Sequence, residues 1–464
     1  MIEHRASHPV HTLLTVFLSW KALVLAIVLA SSLTGPAYDT STTLALGRDE
    51  ITSGGSLVTR LTRWDAIYFT SAAHHGRVYE QEWAFGPGLP GLVSLLALVP
   101  RALGLAAPDD LGLEAAIGII IAHASHWGAV WALYQLTCVL FGVRDKATGR
   151  SSAQDLAFFA ALLHIISPAG VFLSAGYQEA PFAFLSFLGY LLVAKGHRDS
   201  GTFLQTTGLQ VAAGCVFGLA TVFRSNGILH GIPFAAECLR VVVTPLIAGE
   251  NPLPHVVSLL GPIVGGLLVA SGSVIPQAVA YKRYCGSPES PPWCDSAIPS
   301  IYTYVQEHYW GVGFLRYWTV SNIPLFLLAA PVLTILIKSG IEIAKQPSQL
   351  VPSARASAAS QTKGKVEAKD KADTSSSPEI PSSQVLVVSL AVSQVTLTVL
   401  ALASYHVQII TRLASGYPVW YWWVAAGLRG SDLARKQWAN RIVTFSIVYA
   451  LVQAALFACF LPPA

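Results

Sequence analysis

The feature that most constrains this chain is a series of apolar runs, each about 20 residues long, separated by short polar intervals. A run of this length matches the span of an α-helix across the hydrocarbon core of a bilayer. Charged residues make up only 12% of the 464 residues, about half of their share in an average soluble domain. We therefore predict an all-α, polytopic membrane protein. The net charge of +4 is small and scattered, which argues against a nucleic-acid partner.

The apolar runs predict about ten to thirteen transmembrane helices in a single membrane domain that covers residues 1–464. No small-residue cleavage site clearly follows the first run, so an uncleaved anchor is favoured over a signal peptide. The predicted spans are Leu13–Leu33, Gly88–Leu105, Leu113–Phe141, Leu156–Leu173, Ala180–Ala194, Leu204–Val222, Ile228–Leu246, Val256–Ala280, Val320–Ile337, Ser383–Ala403, Tyr417–Leu428 and Val443–Leu461.

The basic residues predict which intervals face the cytosol, because Lys and Arg concentrate on that side of multi-span proteins. The basic intervals are 195–198, 338–371 and 429–441. Assigning them to the cytosol leaves these intervals on the luminal side: 34–87, 174–179, 224–227, 281–319 and 404–416.

One basic segment, 144–150, conflicts with this assignment. It also has cytosolic character, which requires an odd number of spans between residues 87 and 144, whereas two apolar runs lie there. Either Gly88–Leu105 lies partly in the membrane interface, or the run 113–141 is divided. The sequence leaves both alternatives open.

The interval 346–382 is polar, poor in aromatic residues and rich in Ser, Lys and Pro. Such a composition buries too little apolar surface to fold, so we predict a disordered cytosolic loop. The chain has no glycine-rich phosphate fingerprint, no H-E-x-x-H motif and no zinc-type cysteine pairs. We therefore expect neither a metal site nor a cofactor.

Asp65 is the first candidate for catalysis. It lies between Trp64 and Tyr68 in the first long polar interval, 34–87. An ionisable residue next to hydrocarbon-soluble helices is costly and usually functional, and a carboxylate can accept the proton of an attacking hydroxyl group. The alternative is an interface anchor with a local ion pair, which composition alone favours.

Seven short motifs, in order along the chain, resemble one known family. They are Trp64-Asp65-Ala66, Glu82-Trp83-Ala84-Phe85-Gly86-Pro87-Gly88, Ala175-Gly176-Tyr177-Gln178-Glu179-Ala180, Phe223-Arg224-Ser225-Asn226-Gly227, Pro292-Trp293-Cys294-Asp295, Gln408-Ile409-Ile410-Thr411-Arg412 and Pro418-Val419-Trp420-Tyr421-Trp422. Together they resemble the GPI mannosyltransferase 2, or PIG-V, family. The departures are the insertion at 346–382 and Gly311, where the family favours a polar residue.

The resemblance implies a GT-C-type glycosyltransferase, a helical bundle whose luminal loops form the active site in the endoplasmic reticulum membrane. The implied donor is dolichyl-phosphate mannose, and the implied acceptor is a GPI lipid precursor that receives its second mannose in α-1,6 linkage. Membrane lipids surround the bundle. Fungal members of the family work with a small accessory membrane subunit, so such a partner is expected here.

The same resemblance directs attention to several polar residues near Asp65. Glu82 is expected to bind sugar hydroxyl groups or to share the role of base, with Trp64 and Gln81 as further substrate-binding residues; a solvated loop acid is the alternative for Glu82. Glu179 precedes Pro181 at a helix start, where capping alone is an adequate explanation. A direct part in the site is the other explanation.

Arg224 and Arg412 each end an apolar run on the predicted luminal side. A guanidinium group matches phosphate oxygens with a planar fork, so either arginine is a candidate to hold the donor phosphate. Contact with lipid head groups is the alternative. Cys285 and Cys294 flank a short Pro-rich loop on the same, oxidising side, so we predict a disulfide between them.

Two other function classes explain part of the same sequence. A lipid or solute transporter would account for the number of helices, but we find no repeated halves, and the acids cluster in loops rather than at mid-membrane. A related transferase that uses the same donor on another acceptor is the second alternative.

Overall fold

The computed structural model describes residues 8–31, 35, 37–46, 56–105, 107, 109–142, 153–198, 202–249, 251, 253–286, 290–350 and 381–462. Within these ranges the regular structure is entirely helical, as the sequence predicts. Most of the predicted disordered loop, 351–380, lies outside the described residues.

The α-helices are α1 Pro9–Ala30, α2 Ser41–Ala45, α3 Leu57–Leu61, α4 Asp65–His75, α5 Gly88–Ala102, α6 Gly112–Phe141, α7 Gln154–Ile165, α8 Glu179–Arg198, α9 Phe203–Phe223, α10 Gly231–Ile247, α11 Leu260–Tyr284, α12 Ile301–His308, α13 Ile323–Lys345, α14 Ser382–Ser404, α15 Ile410–Leu413, α16 Val419–Arg429 and α17 Leu433–Ala458. Short 3-10 segments join several of them, among them Glu80–Ala84, Gly170–Leu173, Ser225–His230 and Pro292–Asp295.

Nine of the described helices are long and apolar enough to cross a membrane, and α5 and α7 are shorter apolar helices. The nine long helices are one fewer than the lower bound of the predicted ten to thirteen, because several predicted spans are short or broken helices in the described residues. The predicted span Leu156–Leu173 is broken into α7 and the 3-10 segment Gly170–Leu173. The last helix begins ten residues before the predicted start, because Asp432 caps it by accepting from the backbone N–H groups of Ala434 and Arg435.

The bundle has two chemically different ends. At the basic end, Arg198 donates to the carbonyls of Cys138 and Val139 at the close of α6, and Arg435 lies 3.5 Å from Glu342. The basic intervals 195–198 and 429–441, which the sequence assigns to the cytosol, therefore lie beside the ends of α6 and α13. At the loop end, the intervals 34–87 and 281–319 pack on each other.

The centre of the bundle is α8, which packs against α6 and α9 and is the most buried of the long apolar helices. Its side chains Phe187 and Tyr190 are fully enclosed. A buried lysine, Lys21 of α1, donates to the Leu173 carbonyl and to the Ser174 hydroxyl, both at 2.7 Å. This lysine therefore fixes the segment that leads into α8, and hydrogen bonds satisfy its amine group within an apolar helix.

Helix α5 begins and ends at the loop end. Its start, Gly88, lies against Phe223 at the end of α9. At its other end Arg101 binds Glu114 at 2.6 Å and lies 2.8 Å from the Nδ1 atom of His74, the penultimate residue of α4. Because α4 belongs to the interval 34–87, α5 returns to the side from which it starts. Among the described residues between 87 and 142, α6 is then the helix that crosses, which favours the first alternative. The basic segment 144–150 itself lies outside the described residues.

This course of α5 predicts the labelling of two introduced thiols. Val78→Cys and Ala107→Cys, each in a background without the four free cysteines, should both react with an impermeant maleimide only after microsomes are permeabilised. Leu433→Cys, at the exposed start of α17, should react in sealed microsomes. Labelling of residues 78 and 107 from opposite sides would show that α5 crosses the membrane.

Candidate active site

Helix α4 starts at Asp65, directly after a strained residue. Trp64 has φ 56° and ψ −128°, a backbone conformation that costs a non-glycine residue free energy and persists only where its surroundings enforce it. One enforcing contact is the hydroxyl of Tyr177, which donates to the Arg63 carbonyl at 2.9 Å. Asp65 thereby occupies the first turn of α4, where the positive helix end stabilises its carboxylate.

The chain segment after α17 supports the same turn from the other side. The Phe460 ring lies 5.1 Å from the Trp64 ring, and the guanidinium of Arg63 lies 5.0 Å from the centre of the Phe460 ring. Arg60 donates to the Ala458 carbonyl at 3.3 Å. Residues almost 400 positions apart therefore build the turn that presents Asp65.

The structure brings four of the predicted site residues into one cluster. Arg412 donates from Nη1 to Asp65 Oδ2 at 3.2 Å and from Nε to Glu179 Oε1 at 2.6 Å. Arg224 Nη1 lies 2.8 Å from the same Oε1 atom of Glu179. Four motifs that are far apart in the sequence thus meet through two guanidinium groups and two carboxylates.

Within this cluster, three side chains are mostly buried and one is accessible. The Glu179 side chain is 1% exposed, and those of Arg412 and Arg224 are 12% and 13% exposed, whereas Asp65 is 33% exposed. The cluster carries two positive and two negative charges, and their attraction offsets part of the free-energy cost of burying them. Asp65 is therefore the group of the cluster that a substrate can reach.

Arg412 remains charged in this setting. Burial on its own would lower the pKa of its guanidinium, but the carboxylates of Glu179 and Asp65 outweigh burial and raise this pKa above its ordinary value. The guanidinium also stacks on the rings of Phe172 and Tyr177, at 4.3 and 4.9 Å. Its orientation is therefore fixed on several sides.

The aromatic and amide neighbours join the motifs to one another. Burial, followed by the charge of Asp65, raises the pKa of Tyr177 well above its ordinary value, so the phenol stays protonated and can donate. Gln178 donates to the Gly86 carbonyl at 3.0 Å, and Asn226 donates to the Tyr417 hydroxyl at 3.2 Å. These hydrogen bonds therefore hold the motifs in fixed positions relative to one another.

Glu82 has a different setting from the one its motif indicates. Its Oε2 atom accepts from the backbone N–H groups of Val78 and Tyr79, at 2.6 and 2.9 Å, and the side chain is buried. Within the described part of the chain, it forms no ion pair with either arginine of the cluster. Glu82 therefore stabilises its own turn, and Gln81 lies half-buried on that turn.

Two neighbours of the cluster were not singled out by sequence reasoning. His406 is close enough to Asp65 for the carboxylate to act on it; burial lowers the pKa of His406, although the charge of Asp65 acts in the opposite direction. A neutral imidazole beside Asp65 is the result. The second neighbour is Tyr177. Its position directly before Gln178 and Glu179 is the sequence feature that could have indicated it.

The interval 281–319 closes the site on the outside. Cys285 and Cys294, the pair for which the sequence predicts a disulfide, are joined by one. The Trp310 ring packs 5.6 Å from that of Phe85, and the Tyr309 hydroxyl donates to Glu80 at 3.2 Å. The described residues include no group of three or more His, Cys, Asp or Glu side chains placed to hold a metal ion.

An accessible carboxylate beside buried arginines, at the polar end of an apolar helical bundle, is typical of an enzyme that acts on a membrane-borne substrate. The family model described as mannosyltransferase (PIG-V) matches residues 10–464. The chain therefore belongs to this family of mannosyltransferases, as the motifs indicate, and it is a multi-pass membrane glycosyltransferase.

Curated relatives are similar over most of their length. GPI mannosyltransferase 2 of Gibberella zeae is 44% identical over 461 residues, which cover 99% of this chain and 98% of the relative. GPI alpha-1,6-mannosyltransferase 2 of Cricetulus griseus is 31% identical over 410 residues, 83% of this chain and 76% of the relative.

The matches among solved structures are more distant. An oligosaccharyltransferase of Archaeoglobus fulgidus, tethered with an acceptor peptide, gives a TM-score of 0.44 at 12% identity over 95% of this chain. Its complex with an inhibitory peptide and a dolichol-phosphate gives a TM-score of 0.42 at 12% identity over 94%. This chain spans 55% of the length of either structure.

Proposed function

We propose that this protein transfers mannose from dolichyl-phosphate mannose to a GPI lipid precursor, as its second mannose and in α-1,6 linkage, on the luminal side of the endoplasmic reticulum membrane. The observation that carries the proposal is the partly exposed Asp65 carboxylate, held by Arg412 over the buried Glu179. The names of the curated relatives supply the acceptor and the linkage.

The reaction is a single displacement that inverts the anomeric carbon. The primary hydroxyl of the acceptor attacks this carbon from the face opposite the phosphate, the new C–O bond forms, and the bond to the phosphate oxygen breaks. Asp65 takes the proton of the attacking hydroxyl, and dolichyl phosphate leaves as an anion. Because the leaving group is already acidic, it needs positive charge more than a proton.

The remaining residues position the two substrates. Arg412, with Arg224 behind Glu179, supplies fixed positive charge for the departing phosphate, and the charge of Glu179 keeps both guanidinium groups in place. Trp64, next to Asp65 in the chain, and Gln81 contribute further contacts to sugar in this proposal. Glu82 acts by shaping the loop that carries Gln81.

Depletion of the protein in its own cells tests the acceptor. We expect a GPI precursor with a single mannose to accumulate, and we expect expression of the full chain to clear it. Accumulation of a truncated N-glycan precursor, or of a GPI precursor with no mannose or with two, would assign the enzyme to another acceptor or step. A small accessory membrane subunit is part of the proposal, and purification from mild detergent should recover it with the enzyme.

A further inference from the structure

An apolar groove lies between α9 and α11, with one end at the loop end of the bundle. Its volume is about 630 Å³, within the range of small-molecule sites. Its sides are Cys215, Leu219 and Val222 on α9, and Leu268, Ile275 and Val279 on α11. From Leu268 to Val279 the groove follows α11 for roughly 16 Å, at about 1.5 Å per residue.

The two helices that form the groove, α9 and α11, are in backbone contact and cannot move closer to each other. A Cβ atom on Gly272 would lie 2.2 Å from the Gly218 carbonyl oxygen, and one on Gly218 would lie 2.6 Å from the Leu268 carbonyl oxygen. Backbone therefore packs on backbone at this crossing, as small residues allow in membrane helices. This crossing therefore holds the two walls of the groove in place relative to each other.

A cation closes the loop end of the groove. Arg77 and Trp83 line it there, and the Arg77 guanidinium stacks 4.6 Å from the centre of the Trp83 ring. One Nη atom donates to the Phe85 carbonyl at 2.5 Å. Burial lowers the pKa of Arg77 to about 10, which leaves the group charged at neutral pH.

Arg77 differs from the arginines of the Asp65 cluster in its partners. Arg224 and Arg412 are neutralised by Glu179 and Asp65. No carboxylate oxygen of the described residues lies within ion-pair distance of Arg77, although the charge of Glu82 acts on it from farther away. A mostly buried guanidinium at the end of an apolar groove fits a ligand with one anionic group and one hydrocarbon chain.

The loop Phe85–Pro87 joins this cation to the catalytic cluster. The Phe85 ring packs on Tyr68 and Phe69 of α4, the helix that begins with Asp65. The Gly86 carbonyl accepts from Gln178, the residue before Glu179. An anion bound at Arg77 would therefore lie beside a loop that also contacts the catalytic cluster.

We propose that the groove between α9 and α11 binds the polyprenyl chain of the donor, and that Arg77 contacts the donor phosphate. This assignment rests on the proposed function. Chemistry distinguishes the donor from the acceptor: the donor phosphate is bonded to the carbon that reacts, whereas the acceptor phosphate is separated from the attacking hydroxyl by several sugar rings.

The free thiol of Cys215, which is exposed within the groove, reports occupancy without any transfer reaction. In the full chain purified in detergent, dolichyl phosphate should slow alkylation of Cys215 by N-ethylmaleimide at least five-fold, as read by mass spectrometry. Phosphatidylinositol at the same concentration should not. Cys238 on α10, outside the groove, is the internal control and should react at one rate throughout.

Arg77 variants test the phosphate contact. Arg77→Gln should raise the dolichyl phosphate concentration for half-protection at least ten-fold, and Arg77→Lys should restore part of the loss. Arg316→Gln, which removes an exposed arginine of the interval 281–319, should leave half-protection unchanged. Equal protection in Arg77→Gln and the unsubstituted chain would overturn the role of Arg77.

Steady-state kinetics gives a second measurement. Cys215→Trp fills the groove and should raise the KM for dolichyl-phosphate mannose with little change in the KM for the acceptor. Val274→Trp, at an exposed position of α11 outside the groove, is the matched control.

The two assignments fail in different ways. If the enzyme transfers mannose but Cys215 is protected by phosphatidylinositol, or is not protected by dolichyl phosphate, the groove assignment is overturned. Protection without mannose transfer would instead overturn the proposed function.

Discussion

Asp65→Asn is expected to lower mannose transfer by about 10²–10⁴-fold, because the substitution keeps the shape of the side chain and removes its ability to take a proton. The amide oxygen can still accept from Arg412, so the cluster should stay assembled. Transfer from dolichyl-phosphate mannose is measured in microsomes that contain equal amounts of enzyme. The loss should lie in kcat, with the KM for the donor changed little.

Two variants make this result specific. Asp295→Asn removes an exposed carboxylate of the interval 281–319 and should transfer mannose at the normal rate. His406→Gln tests the neutral imidazole beside Asp65 as a rival base. Near-normal transfer by Asp65→Asn, together with loss in His406→Gln, would move the role of base from the carboxylate to the imidazole.

Glu179→Gln is expected to affect both stability and transfer. The 1%-exposed carboxylate holds Arg412 and Arg224 through one oxygen atom, and removing its charge leaves two guanidinium groups with only Asp65 to balance them. Breaking a buried ion pair by removing one partner costs about 3–5 kcal/mol. Thermal unfolding in detergent should therefore shift to lower temperature, and transfer should fall at least 100-fold.

Glu307→Gln is the matched control for Glu179→Gln. It breaks a 3.9 Å pair with Arg316 in which both side chains are about half exposed, and such pairs contribute about 0–1 kcal/mol. Glu179→Asp keeps the charge on a shorter side chain and should recover part of the stability. Unchanged unfolding of Glu179→Gln would show that the cluster does not depend on this charge.

The side of the bundle on which the candidate residues gather could be predicted from the sequence, but their pairing could not. Positive charge in short intervals reports sidedness, and Asp65, Glu179, Arg224 and Arg412 each follow or precede an apolar run. Their contacts join residues 233 and 347 positions apart. Such contacts depend on how the helices pack, and a hydropathy pattern does not show which helices pack together.

The sequence left two explanations open for each of two acids, and the contacts of these acids could not be predicted from it. Glu179 has a complete explanation as a helix-capping acid, yet the structure gives it two arginines. Glu82 stands beside sugar-binding residue types, yet it caps its own turn. The course of α5 was equally out of reach, because it depends on the meeting of His74, Arg101 and Glu114 across three separate helices.

The contact of Phe460 with Trp64 has a consequence for synthesis. The ribosome makes the Arg63-Trp64-Asp65 turn almost 400 residues before Ala458 and Phe460, which brace it. The strained Trp64 backbone has no such brace before then. A nascent chain should therefore stay inactive until α17 has entered the bilayer, so that copies that still lack this helix in the translocon cannot consume donor lipid.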